Sequence, residues 1–81
     1  MILEEEPSEN ISRNFGAAVR RRRLELAMSQ EELADLSGLH RTYISDVERA
    51  TRNITLKSAA RIASSLKVPL KALVENEIEL S

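Results

Sequence analysis

The 81-residue sequence contains no cysteine and a single histidine, His40. Those absences exclude a disulfide framework, a thiolate nucleophile and an all-protein zinc site, which needs about four nitrogen or sulfur ligands. The aromatic residues are Phe15 and Tyr43 alone, too few for the exposed ring platforms on which single-stranded nucleic acid stacks. No uninterrupted apolar stretch is longer than four residues, so no segment is long enough to span a bilayer. The first residues, Met1 to Pro7, are acidic where a secretory leader would be basic. These features together predict a soluble, cytoplasmic protein without metal or cofactor. Helix breakers are also scarce: the glycines are Gly16 and Gly38, the prolines Pro7 and Pro69, and only Glu77 to Leu80 alternates convincingly. An all-α fold is the economical expectation. A chain this short forms one compact domain whose stability is lean or shared with a partner subunit.

What is present in quantity is charge. The formal net charge is −1, which taken whole argues against a nucleic-acid partner. Its distribution reverses that inference. All twelve Lys and Arg lie between Arg13 and Lys71 and meet only six acids there, so residues 11–74 carry +6. Residues 1–10 contribute four glutamates and residues 75–81 three, with no base in either. The chain therefore divides into an acidic N-terminal extension (1–10) expected to be flexible, a basic body (11–76) and an acidic tail (77–81). The four-arginine run Arg20 to Arg23 is read either as a solvated helix face or as a surface for phosphates.

Periodicity places five helices on the body. The first, about Ser12 to Ala27, puts Phe15, Val19, Arg23 and Leu26 on one stripe, with arginine in an otherwise apolar slot. Ser29-Gln30-Glu31-Glu32 is a capping box that starts a short second helix carrying Leu33, Ala34 and Leu36, which must stop at Ser37-Gly38. A third helix follows Leu39, from His40 or Arg41 to Arg49, with Ile44 and Val47 inward. Thr55 caps a fourth, Leu56 to Leu66, with Ala59, Ile62, Ala63 and Leu66 as its apolar stripe. Pro69 opens a fifth that reaches about Asn76 and carries Leu70, Leu73 and Val74. Two short helices joined by a glycine turn, the second polar outside and apolar behind, describe a helix-turn-helix at helices two and three; an ordinary α-hairpin in a small bundle is the alternative.

From Phe15 to about Leu73 the chain resembles the lambda-repressor-like Cro/repressor helix-turn-helix family, also called the xenobiotic-response-element family. The resemblance is carried by Ser29-Gln30-Glu31-Glu32-Leu33-Ala34, Gly38-Leu39, Tyr43-Ile44-Ser45 and Val47-Glu48-Arg49. The run from His40 to Arg49, followed by Thr51 to Leu56, is most similar to the small controller proteins of restriction-modification operons. The resemblance implies a compact five-helix fold, bound as a homodimer to double-stranded DNA at a two-fold operator. It also implies roles. Arg41, Thr42, Tyr43 and Asp46 are the candidate base readers: Arg41 for guanine, Thr42 for thymine or either base type, Asp46 for cytosine N4 or instead to orient Arg41 or exclude other bases. Tyr43 can instead pack against helix two. Gln30, Ser29, His40, Ser45, Arg49, Arg52, Asn53 and Thr55 are the candidate phosphate contacts, with His40 alternatively a substitute cap. Arg23 is expected to pair with Glu48, which leaves Arg20, Arg21 and Arg22 facing outward, and Val68, Leu70, Leu73 and Val74 are expected at the dimer interface.

The sequence departs from the family at Ala27, Ala50 and Lys67, which stand where glycine is common, so those helix ends are expected to close without a left-handed residue. Ala59 replaces a usual leucine, leaving a light core unless Ile54 or a partner chain fills the space. Met1 to Leu3 and Ile78 to Leu80 are β-prone and offer an alternative to disorder, pairing across the dimer. The functional expectation is a sequence-specific transcriptional regulator, activator or repressor, and not an enzyme, since no nucleophile-base pair or metal set assembles. The alternative is an antitoxin or adaptor that binds a partner protein through the leucines of helix five.

Overall fold

The computed structural model describes residues 7–75, and over them the chain forms five helices and no strand: α1 (Pro7–Glu25), α2 (Gln30–Ser37), α3 (Arg41–Glu48), α4 (Leu56–Ser65) and α5 (Leu70–Val74). None of the described helices is long and apolar enough to cross a membrane. The segments suggested to pair as strands lie outside the described residues. α1 starts five residues before the expected Ser12 and so takes in part of the presumed extension. The physical reason is Pro7, whose fixed φ and missing N–H suit the first position of a helix.

The core follows from the helical periods. Phe15, Ala18 and Val19 of α1 meet Leu33 and Ala34 of α2, Ile44 and Val47 of α3, Ala59, Ile62 and Ala63 of α4, then Leu66 and Leu73, all buried. Ile54, Val68, Leu70, Leu39, Met28, Leu26 and Tyr43 pack against this cluster from the side. α1 touches α3 and α5, α2 touches α3 and α4, and α4 touches α5. Leu73, expected at a dimer interface, is buried within this chain at 2% exposure. Leu36, expected with the apolar set of α2, is 64% exposed.

Gly16 accounts for the close approach of α1 to α3. A Cβ at Gly16 would lie 2.3 Å from the carbonyl oxygen of Val47 and 3.1 Å from that of Glu48. Both obstacles are backbone, so only glycine fits without moving α3.

Four helix ends share one closure. The amide of Met28 donates to the carbonyl of Arg23, Leu39 to Ala34, Thr51 to Asp46 and Val68 to Ala63, each reaching back five residues. The residue before each donor is left-handed: Ala27 (φ 55°), Gly38 (φ 73°), Ala50 (φ 57°) and Lys67 (φ 62°). This is the Schellman arrangement, and three of the four ends form it without glycine, contrary to the expectation. The bond back to the helix and the burial of Met28, Leu39 and Val68 against the core outweigh a steric cost of about 1–2 kcal/mol per residue.

Replacing Ala27, Ala50 or Lys67 by glycine should therefore stabilise the fold by about 0.5–1 kcal/mol each, the relieved strain exceeding the added unfolded-state entropy. Gly16→Ala should destabilise it by about 1–3 kcal/mol or more, as overpacking against backbone does. Urea denaturation of the four variants checks both signs.

Candidate nucleic-acid interface

The surface is built on α2 and α3. Ser29 begins α2 from an extended conformation: its Oγ accepts the Glu32 amide at 2.9 Å, and Glu32 Oε1 accepts the Ser29 amide at 2.8 Å. Both halves of the capping box are present. Gly38 and Leu39 turn the chain into α3, whose Ile44 and Val47 are buried against the core. With that face held, Arg41 and Thr42 lie exposed on the first turn, and Tyr43, Ser45 and Asp46 are half-buried beside them. His40 occupies the N-cap in extended conformation but makes no side-chain cap bond, so it does not substitute for Ser, Thr or Asp there. Thr55 caps α4 by accepting the Ser58 amide at 3.1 Å, and exposed Asn53 precedes it.

The orientation of this surface is set by one buried network. Arg23 Nε donates to Glu48 Oε2 at 2.7 Å and Nη2 to Oε1 at 3.0 Å, a bidentate pair with side-chain exposures of 9% and 4%. Arg23 Nη1 donates to the carbonyl of Met28 at 2.8 Å, and Gln30 Nε2 donates to Glu48 Oε1 at 3.1 Å. The hydrogen bonds from Arg23 to Glu48 raise the Arg23 pKa above its ordinary value against the opposing effect of burial. Thus α1, the start of α2 and the end of α3 meet at a single carboxylate. Gln30, expected only to face a phosphate, is also anchored here, with one amide hydrogen engaged and the other free.

A second network lies along the outer end of α3. Asp46 Oδ1 accepts from Arg49 Nη2 at 2.8 Å, and Oδ2 accepts from Arg52 Nη2 at 3.2 Å and Nε at 3.3 Å. The Arg52 guanidinium lies over the Tyr43 ring, 4.7 Å from its centroid. Hydrogen bonds from Arg49 and then Arg52 hold the Asp46 pKa below the usual carboxylate range. Asp46, expected to face a cytosine or to orient Arg41, has Arg49 and Arg52 as its partners here, one on each oxygen.

Arg22 is likewise turned inward. Its Nε donates to the carbonyl of Leu66 at 3.0 Å and its Nη1 to Glu25 at 3.2 Å, so it closes the end of α4. Exposed Arg20 and Arg21 alone of the run face outward. No local signal identified Arg22, because its acceptor lies 44 residues away. Gly16 was more discoverable, since glycine inside a helix costs about 1 kcal/mol unless a close approach requires it.

A family model described as Helix-turn-helix matches residues 19–73. The control protein C.BamHI from Bacillus amyloliquefaciens is 48% identical over 69 residues, which span 84% of this chain and 85% of that protein. The solved structure of the restriction-modification controller protein C.AhdI from Aeromonas hydrophila is 39% identical with a TM-score of 0.75, covering 76% of this chain and 94% of that one. That of the hypothetical transcription factor NHTF from Neisseria is 34% identical with a TM-score of 0.82, covering 99% and 93%.

Glu48→Gln should cost about 3–5 kcal/mol, because the Arg23 charge stays buried without its counter-ion. The double variant Arg23→Met with Glu48→Met should recover most of that loss. Paired thermal or chemical denaturation of the single and double variants measures the difference.

Proposed function

This chain belongs to the helix-turn-helix family, and on that premise we propose that it is a sequence-specific double-stranded DNA-binding transcriptional regulator of the restriction-modification controller kind. It acts as a homodimer on an inverted-repeat operator. The observation that carries the reading is α3 itself: Ile44 and Val47 hold one face against the core while Arg41 and Thr42 stand exposed on the other. An α-helix presented in this way fits the major groove. Arg41 reads guanine through O6 and N7, and Thr42 contacts a thymine methyl or a base edge. Tyr43 reads or packs at the rim of the same face.

Gln30 and Ser29 at the start of α2 meet one phosphate, where the helix dipole favours negative charge. His40 and Ser45, then Arg49, Arg52, Asn53 and Thr55, meet the backbone on either side of the groove. The dimer forms around Val74, which is 40% exposed, with half-buried Val68 and Leu70 beside it. The reading as an antitoxin or adaptor rested on the leucines of this helix, and the burial of Leu73 takes much of that surface away. The protein works in the cytoplasm, takes no cofactor and performs no catalytic step.

On an operator recovered by selection from a random DNA pool, half-sites should sit about 10 base pairs apart or a multiple of that. Arg41→Ala should cost about 1–3 kcal/mol and relax preference at one base pair, whereas Gln30→Ala should weaken all sequences alike. Titration on matched and mismatched operators distinguishes the two, and equal, sequence-blind losses for both would overturn the assignment. Binding near the dimer dissociation constant should follow the square of protein concentration.

A further inference from the structure

The Asp46 network places an acid where a surface meant for phosphates is most basic. Arg41, Arg49 and Arg52 are the arginines of α3 and the turn that follows it, and all three are exposed. The remaining acid of α3, Glu48, is committed to Arg23 in the interior. Asp46 is therefore the acid of α3 left to offset this outer charge. Its side chain is only 18% exposed, because its two partners cover it.

The fold builds this arrangement deliberately from backbone. Arg49 is three residues from Asp46, one turn along the same helix face, so it reaches Oδ1 from the C-cap. Arg52 is six residues away and would lie off the face if the chain continued as a helix. Left-handed Ala50 reverses it instead, and the amide of Thr51 donates back to the Asp46 carbonyl at 3.0 Å. The Thr51 hydroxyl adds a bond to the same carbonyl at 3.3 Å. Arg52 consequently arrives beside Oδ2 and lies over Tyr43. Its guanidinium is fixed by an edge on the carboxylate and a face on the ring, leaving Nη1 unbound and side-chain exposure of 43%.

We propose that Asp46 is a positioning residue that holds Arg49 and Arg52 in place and partly neutralises them, reducing sequence-independent phosphate binding so that base reading dominates discrimination. The inference rests on the DNA-binding reading above. Phosphate attraction is the same for every sequence, so charge removed from it lowers binding to random duplex as much as to operator in free-energy terms. On the operator that loss is offset, because Arg52 and Arg49 are already ordered for their contacts. On random duplex, where the protein must slide and rotate, ordered side chains confer no such gain.

The test compares wild type, Asp46→Asn and Asp46→Glu on a selected operator and on a random-sequence duplex across about 50 to 200 mM salt. Asp46→Asn should bind random duplex more tightly, by roughly eightfold per protomer at 0.1 M salt for one charge gained. Its salt slope on random duplex should steepen by about 0.9 per protomer, and its operator-to-random ratio should fall. Asp46→Glu, which keeps the charge, should retain the wild-type slope, and adding Arg52→Gln to Asp46→Asn should restore it. A salt slope unchanged by Asp46→Asn, with only thermal stability altered, would show a structural role alone and overturn the inference. Loss confined to one operator base pair, with random-duplex binding unchanged, would make Asp46 a base reader and equally overturn it. Failure of the wild type to bind any duplex would instead sink the DNA-binding reading, and this inference with it.

Discussion

Glu48 and Arg23 form the contact on which the geometry of the recognition surface depends. Glu48 is the last residue of α3, Arg23 lies in the last turn of α1, and the Glu48 carboxylate also accepts from Gln30 at the first position of α2. An ion pair covered from solvent in this way adds little net stability, because desolvation offsets the attraction. Its value is directional. A bidentate guanidinium-carboxylate pair admits one planar arrangement, whereas leucine in the same slot would tolerate many. The pitch of α3 relative to α2 is thereby specified, and Gly16 allows it by letting the backbone of α3 rest on α1.

Chain reversal is handled with equal economy. Four of the helix ends use a left-handed residue followed by an amide that returns to the helix, though only Gly38 is free of a Cβ. The strain at Ala27, Ala50 and Lys67 is tolerated because each reversal delivers something. Ala27 brings Met28 to the core and its carbonyl to Arg23, Lys67 brings Val68 to the core, and Ala50 brings Arg52 to Asp46. Helix closure and site construction are here one event.

Electrostatics is organised in two tiers. The Glu48 carboxylate is internal and structural, whereas Asp46, two residues earlier, faces outward and gathers Arg49 and Arg52 against Tyr43. Arg22 is offset in the same way by Glu25 while its Nε holds the carbonyl of Leu66. The outer charge is smaller and better placed than a count of arginines suggests.

Most of the fold was legible because the signals are local. The capping box at Ser29, the glycine turn at Gly38, the cap at Thr55 and the 3.6-residue stripes each depend on neighbours within four residues, and helices are made of such contacts. The start of α1 was missed by five residues because Pro7 reads as a breaker unless it sits at the first position. The site was legible only in part. Arg41 and Thr42 on the open face of α3 follow from period and resemblance, but the partners of Asp46, the inward turn of Arg22 and the burial of Leu73 do not. Sequence by itself determined five helices, their boundaries to within five residues, and the helix-turn-helix formed by the second and third. Tertiary structure alone decided which charges meet. Arg23 and Glu48 are 25 residues apart, and Arg22 and Leu66 are 44, separations across which periodicity carries no information and only three-dimensional proximity selects a partner.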